Sequence, residues 1–175
     1  MDKILDLFLR KQYTEGLALA AASDVLELRP LCEANAPPQR YLARFHCQGF
    51  VENRGQITKA DRFDIGIYFP DQYLREANNF EVISWLWPQN VFHPNVKVPF
   101  VCLGEFLRPG TKLVEILFTM HAIITHHKWA AHSPLNETAA QWTRANQSRL
   151  PADKRPLKRR ALDLQISLST GKGES

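Results

Sequence analysis

Residues 63–69, Phe-Asp-Ile-Gly-Ile-Tyr-Phe, alternate apolar side chains with small or polar ones, the period of two that marks a half-buried strand. Residues 25–31, 41–51 and 82–87 are likewise rich in β-branched and aromatic side chains, and turn-rich stretches such as Glu52-Asn53-Arg54-Gly55 separate the runs. No long helical pattern intervenes, so an antiparallel meander is expected and βαβ units are not. Helical spacing appears at the two ends instead. Residues 4–22 read as an amphipathic helix with a break near Gly16. After Pro109-Gly110-Thr111, the side chains Leu113, Leu117, Met120 and Ile124 define a helix with one buried stripe. Another helix begins near Leu135-Asn136 and runs through Ala139, Ala140 and Trp142 toward Arg149. The expected class is α+β: a helix, about four strands, an irregular loop, then two helices.

The 175 residues suit one domain. Residues 151–175 hold six basic side chains (Lys154, Arg155, Lys158, Arg159, Arg160, Lys172) against three acidic ones, so they carry three of the four net positive charges. That asymmetry predicts a domain over residues 1–150 followed by a basic tail, which Pro156 interrupts and which is expected to lie outside the core. The tail suits docking to an acidic partner. Nucleic-acid contact is not expected, since no aromatic side chains are interleaved with the charges. No apolar run is long enough to span a bilayer, and the N-terminus lacks a basic segment followed by an apolar one. The expectation is a cytoplasmic protein that does not engage a membrane. Cys32, Cys47 and Cys102 are odd in number and form no CxxC pair, which speaks against a disulfide framework and a four-thiolate zinc site. His126, His127 and His132 also lack zinc-ligand spacing, and no metal is expected; they read as part of a partly exposed loop.

Residues 91–104 carry the functional signal. Pro94 and Pro99 lie close together there, and a proline cannot donate to a ladder, so an ordered loop is expected without regular pairing. Within it stand His93-Pro94-Asn95 and Cys102-Leu103, and downstream comes Pro134-Leu135-Asn136-Glu137-Thr138-Ala139-Ala140. Upstream, Phe69-Pro70-Asp71-Gln72-Tyr73 follows the alternating strand. In this order the four elements resemble the ubiquitin-conjugating enzyme (UBC-like) family over roughly residues 63–142. The resemblance implies an N-terminal helix, a four-stranded antiparallel meander, an active-site loop and C-terminal helices.

The match has departures. Asn95 and Cys102 are seven positions apart, one fewer than usual in the family. Gly104 stands where an acidic residue often follows Cys-Leu, and Leu107-Arg108-Pro109 replaces a Trp-x-Pro. These differences fit a divergent branch, of the kind found in bacterial antiphage operons that carry conjugation machinery.

What the resemblance implies is acyl transfer. Cys102 takes a protein C-terminus as a thioester and passes it to a lysine amine, a role suited to a thiol that is both nucleophile and leaving group. The resemblance gives Asn95 the role of donor to the tetrahedral oxyanion, worth about 2.7–4 kcal/mol in acyl transfer, or of loop brace. It makes His93 structural. Ser133 would position the incoming lysine, and His132 beside it is a candidate base. No nucleotide-binding glycine loop is present, so no cofactor is expected in this chain, and ATP would be used by a separate activating enzyme. The implied donor is a ubiquitin-like protein or a cGAS-like nucleotidyltransferase, as in CBASS antiviral defence, and the acceptor a lysine-bearing target. The alternative is a catalytically inactive variant of the fold that serves as an adaptor.

Overall fold

In a computed structural model, the described residues are 2–31, 36–104 and 107–159. Cys32 and the tail beyond residue 159 lie outside them. The first helix, α1 (Lys3–Ala21), starts at Asp2, whose side chain accepts from the Ile4 N–H at 2.9 Å. Four strands then form one antiparallel sheet in the order β1 (Leu26–Leu31), β2 (Arg40–Phe45), β5 (Phe63–Tyr68) and β6 (Ile83–Trp87). The pairs Tyr41–Ile67, Ala43–Ile65 and Phe45–Phe63 set buried side chains on one face. Against that face pack α1 and α3 (Leu113–Ile124), which also touch each other.

Gly16 does not interrupt α1, contrary to the expectation of a break there. A Cβ at this position would lie 2.7 Å from a Leu113 methyl and 2.9 Å from a Leu28 methyl. The glycine therefore permits close approach of α1 to α3 and β1 and is not a helix end. Gln12, buried in α1, accepts from the Leu113 N–H at 2.9 Å and so satisfies an orphan donor at the start of α3.

The run at residues 41–51 is two strands, not one. After β2 the chain leaves the main sheet, and β3 (Gly49–Asn53) pairs with β4 (Gln56–Ala60) as a separate hairpin. Arg54 and Gly55 both take positive φ at its turn. The polar, largely exposed β4 carries too weak a pattern to be read as a strand. One short helix, α2 (Asn79–Val82), also escaped the sequence reading.

The loop at residues 91–104 contains a two-rung ladder, β7 (Val96–Lys97) with β8 (Phe100–Val101), where no regular pairing was expected. The prolines do not prevent it because Pro94 precedes the rungs and Pro99 lies in the turn, so neither removes a ladder N–H. The Pro99 carbonyl accepts from the Trp85 N–H at 2.9 Å, tying this hairpin to β6.

Residues 151–159 also depart from expectation, because they pack on the domain. Leu157 belongs to the main core and is 2 % exposed. Asp153 accepts from the Gln48 N–H at 2.8 Å and pairs with Arg155, while Arg159 donates to the Ala21 carbonyl. A proline-broken segment has no ladder of its own, yet single side chains and carboxylates still anchor it. Among the described residues no helix is long and apolar enough to cross a membrane.

Candidate active site

A second, smaller core supports the loop that carries the sequence motifs. Phe50 of β3, Phe92, and Ala139 of α4 (Glu137–Ala145) are buried together, with Trp142 packed against them. Trp142 meets Phe50 edge-on at 4.9 Å and Phe92 at 5.8 Å between ring centroids. The small side chain of Ala139 lets α4 lie close to this cluster. Asn136 caps the helix by accepting from the Ala139 N–H at 3.0 Å.

On this base His93-Pro94-Asn95 is buried, and its hydrogen-bonded polar groups serve partners within the protein, His93 Nε2 being the one side-chain polar atom left without a partner among the described residues. His93 Nδ1 accepts from the Asn95 N–H at 3.0 Å. The Pro94 carbonyl accepts from the Leu135 and Asn136 N–H groups at 2.9 and 3.1 Å. The Asn95 carbonyl accepts from the Cys102 N–H at 2.8 Å, and the Asn95 Nδ2 donates back to the Cys102 carbonyl at 2.7 Å. Its Oδ1 accepts from the Ala130 N–H at 2.7 Å. One carboxamide thus joins the Cys102 loop to the segment after α3.

Cys102 is a free thiol of intermediate exposure, flanked by buried Val101 and Leu103. Asn79 donates to the Val101 carbonyl at 3.0 Å, which secures the loop from the side of α2. Cys47 differs sharply: it is wholly buried, and burial followed by the charge of Asp153 pushes its thiol up to about 12. At neutral pH it is an inert core residue.

His132 and Ser133 are exposed, and Ser133 holds a positive φ. Their segment is pinned at both ends to the tripeptide, through Ala130 on Asn95 and through Leu135 on Pro94. They share a loop system with Cys102, but no hydrogen bond among the described residues joins either to Asn95 or Cys102. His93 cannot serve as a general base in this arrangement. Burial, and then the neighbouring charge of His126, hold it well below the ordinary histidine range, and its acceptor nitrogen is occupied.

No protein-family model matches the chain, and no curated protein is significantly similar to it. The chemistry of the site therefore rests on its own geometry: a reachable thiol, a carboxamide fixed beside its backbone, and an exposed loop attached to the same tripeptide.

Sequence reading missed His126. Expected in a partly exposed loop, it is 3 % exposed, and its ring lies against His93 at 4.1 Å and Phe50 at 5.0 Å between centroids. His127 and His132 are exposed, as a loop would have them. Nothing in the order His126-His127 tells which ring turns inward; the backbone at the end of α3 decides it. Among the described residues no group of three or more His, Cys, Asp or Glu side chains is placed to hold a metal ion.

Proposed function

We propose that this chain is a UBC-like acyl carrier, in which Cys102 accepts a protein C-terminus as a thioester and transfers it to a lysine amine. The observation that carries the reading is the two-way bonding of Asn95 to Cys102, in which backbone and side chain together hold the thiol loop against the tripeptide. A thioester carrier needs such a loop. The sulfur must stay accessible, while a donor must be preorganised where the oxyanion develops. The Asn95 Nδ2 spends one hydrogen on the Cys102 carbonyl, and its second would serve that purpose. Ser133, on the exposed loop tied to the same tripeptide, would orient the lysine, with His132 beside it.

The reaction needs an activated carboxylate. A separate activating enzyme would supply it using ATP, and the donor would be a ubiquitin-like protein or a cGAS-like nucleotidyltransferase in bacterial antiviral defence. The setting would be the cytoplasm. The direct test combines the chain with ATP, a cognate activating enzyme and donor, and looks for a thiol-sensitive adduct on a non-reducing gel. Wild type and Cys47→Ala should form it, and Cys102→Ala should not. An adduct that survives Cys102→Ala would sink the assignment.

A second reading has one observation in its favour. Both polar ends of the Asn95 side chain already serve backbone groups, so packing alone would retain Asn95 in a catalytically inactive adaptor. In that case Cys102→Ala would leave partner binding and biological output unchanged.

A further inference from the structure

The site so far leaves unused the imidazole behind the tripeptide. His126 ends α3 with φ at +60°, the left-handed conformation that glycine or asparagine adopts most readily at this place. Its N–H bonds the Ile123 carbonyl at 2.9 Å, as a helix-closing residue does. Backbone preference thus argues for a residue without a bulky side chain, and the ring that stands there instead is packed onto His93 and Phe50. The contact with His93 accounts for a side chain that the turn does not call for.

The hydrogen bond to His93 fixes its protonation. Nδ1 accepts from the Asn95 N–H, so it bears no proton, and the neutral ring carries its hydrogen on Nε2. A proton added at Nδ1 would set N–H against N–H and abolish the bond to Asn95. The surroundings resist such a charge. His126 comes from the end of α3, with His127 and Lys128 in the same turn. Arg149 lies over the Phe50 and Trp142 rings, while β3 and α4 present those rings themselves. No carboxylate acts on either imidazole among the described residues. Neither His93 Nε2 nor either His126 ring nitrogen has a partner of good hydrogen-bond geometry there; the nearest influences are the carbonyls of Ile123 and Lys128 on His93 and of Ile124 on His126.

We propose that His126 is a positioning residue for the Cys102 loop: its ring holds His93 neutral and in place, so that the Asn95 brace gives way when the pair takes up a proton. The consequence for transfer rests on the reading of Cys102 as an acyl carrier; the structural coupling does not. Burial holds His93, whose Nδ1 makes the bond to Asn95, well below the ordinary histidine range, and takes His126 down to about 4. Loop loosening should therefore set in well below the ordinary histidine range.

The test is amide hydrogen exchange at Asn95 and Cys102, read as protection factors so that the intrinsic pH dependence is removed. In the wild type, protection at these two amides should fall on acidification in step with the His93 and His126 ring resonances, while Ile65 in the sheet keeps its own. His126→Asn, which suits the left-handed backbone and removes the ring, should lower protection at Asn95 and Cys102 by about tenfold or more already at neutral pH. His121→Gln removes a buried histidine whose ring packs on Phe45 and makes no ring contact with His93 or Phe50 among the described residues, and should leave both amides as in wild type. Unchanged protection at Asn95 in His126→Asn would overturn the proposal, and so would a wild-type loop that stays protected while the rings titrate. The wild-type titration needs no variant to fold. Thioester formation is scored separately: a loop that behaves as described in a protein that never loads would overturn the carrier reading and leave this coupling standing.

Discussion

The Asn95 carboxamide donates to the Cys102 carbonyl at 2.7 Å and accepts from the Ala130 N–H at the same distance. It is thereby a strut between two loops before it is anything else. That dual engagement makes Asn95 testable in two separable ways.

Asn95→Asp keeps an oxygen for the Ala130 N–H, loses the donor facing Cys102 and sets a carboxylate oxygen against the Cys102 carbonyl, so stability should fall as well. We expect loading to persist, with discharge to lysine slowed by about 10²–10³-fold if the donor acts on the oxyanion. Asn95→Ala loses both bonds and leaves two part-buried backbone groups without this partner, at up to about 1–3 kcal/mol, so its thermal midpoint should also drop. Single-turnover discharge and thermal denaturation measure the two effects. Wild-type discharge in Asn95→Asp would leave only the strut.

Gly16→Ala should destabilise the fold although alanine favours helix. The propensity gain is about 1 kcal/mol, but a new methyl would press on Leu113 and Leu28 at 2.7 and 2.9 Å. Overpacking of this kind costs about 1–3 kcal/mol. Chemical denaturation should give a midpoint below wild type; a higher one would mean that α1 shifts freely.

Charges in residues 151–159 should divide by their contacts. Lys154 and Lys158 are exposed, so replacing them with alanine should weaken association with an acidic partner at low salt and spare stability. Asp153→Ala or Arg155→Ala should instead lower the melting temperature, because Asp153 holds the Gln48 N–H and Arg155 bonds the His46 carbonyl. Equal stability in all four variants would show that this segment is not anchored.

Acid should destabilise the protein in two stages. Burial, then the charge of His127, takes His121 down to about 4, and His126 is lowered similarly. Folded pKa values below the ordinary 6.5 mean that the unfolded chain binds protons first, so stability falls as pH drops from about 6.5 to 4. Carboxylates follow. Burial raises Asp64, but hydrogen bonds from Arg62 and Arg44 outweigh it and hold the group at about 2, and Asp153 lies lower still through Arg155. Their contribution is present above 3.8, the unperturbed value, and is lost as pH falls below it toward about 2. Melting temperature against pH checks the order. A flat curve across the histidine range would contradict it.

The sequence by itself determined the α+β class, the position of the main sheet strands and the two long helices, because burial of one face writes a period of two or of 3.6 into the chain. It also singled out Asn95 and Cys102. Only tertiary structure decided that Asn95 reaches Ala130, that Leu157 and Asp153 bind the last described segment to the domain, and that β3 leaves the main sheet. The same holds for His126, whose inward turn depends on a left-handed backbone at the end of α3 and on the Phe50 and His93 rings that receive it. Such contacts join residues distant in the chain through single side chains, and a single side chain leaves no periodic trace.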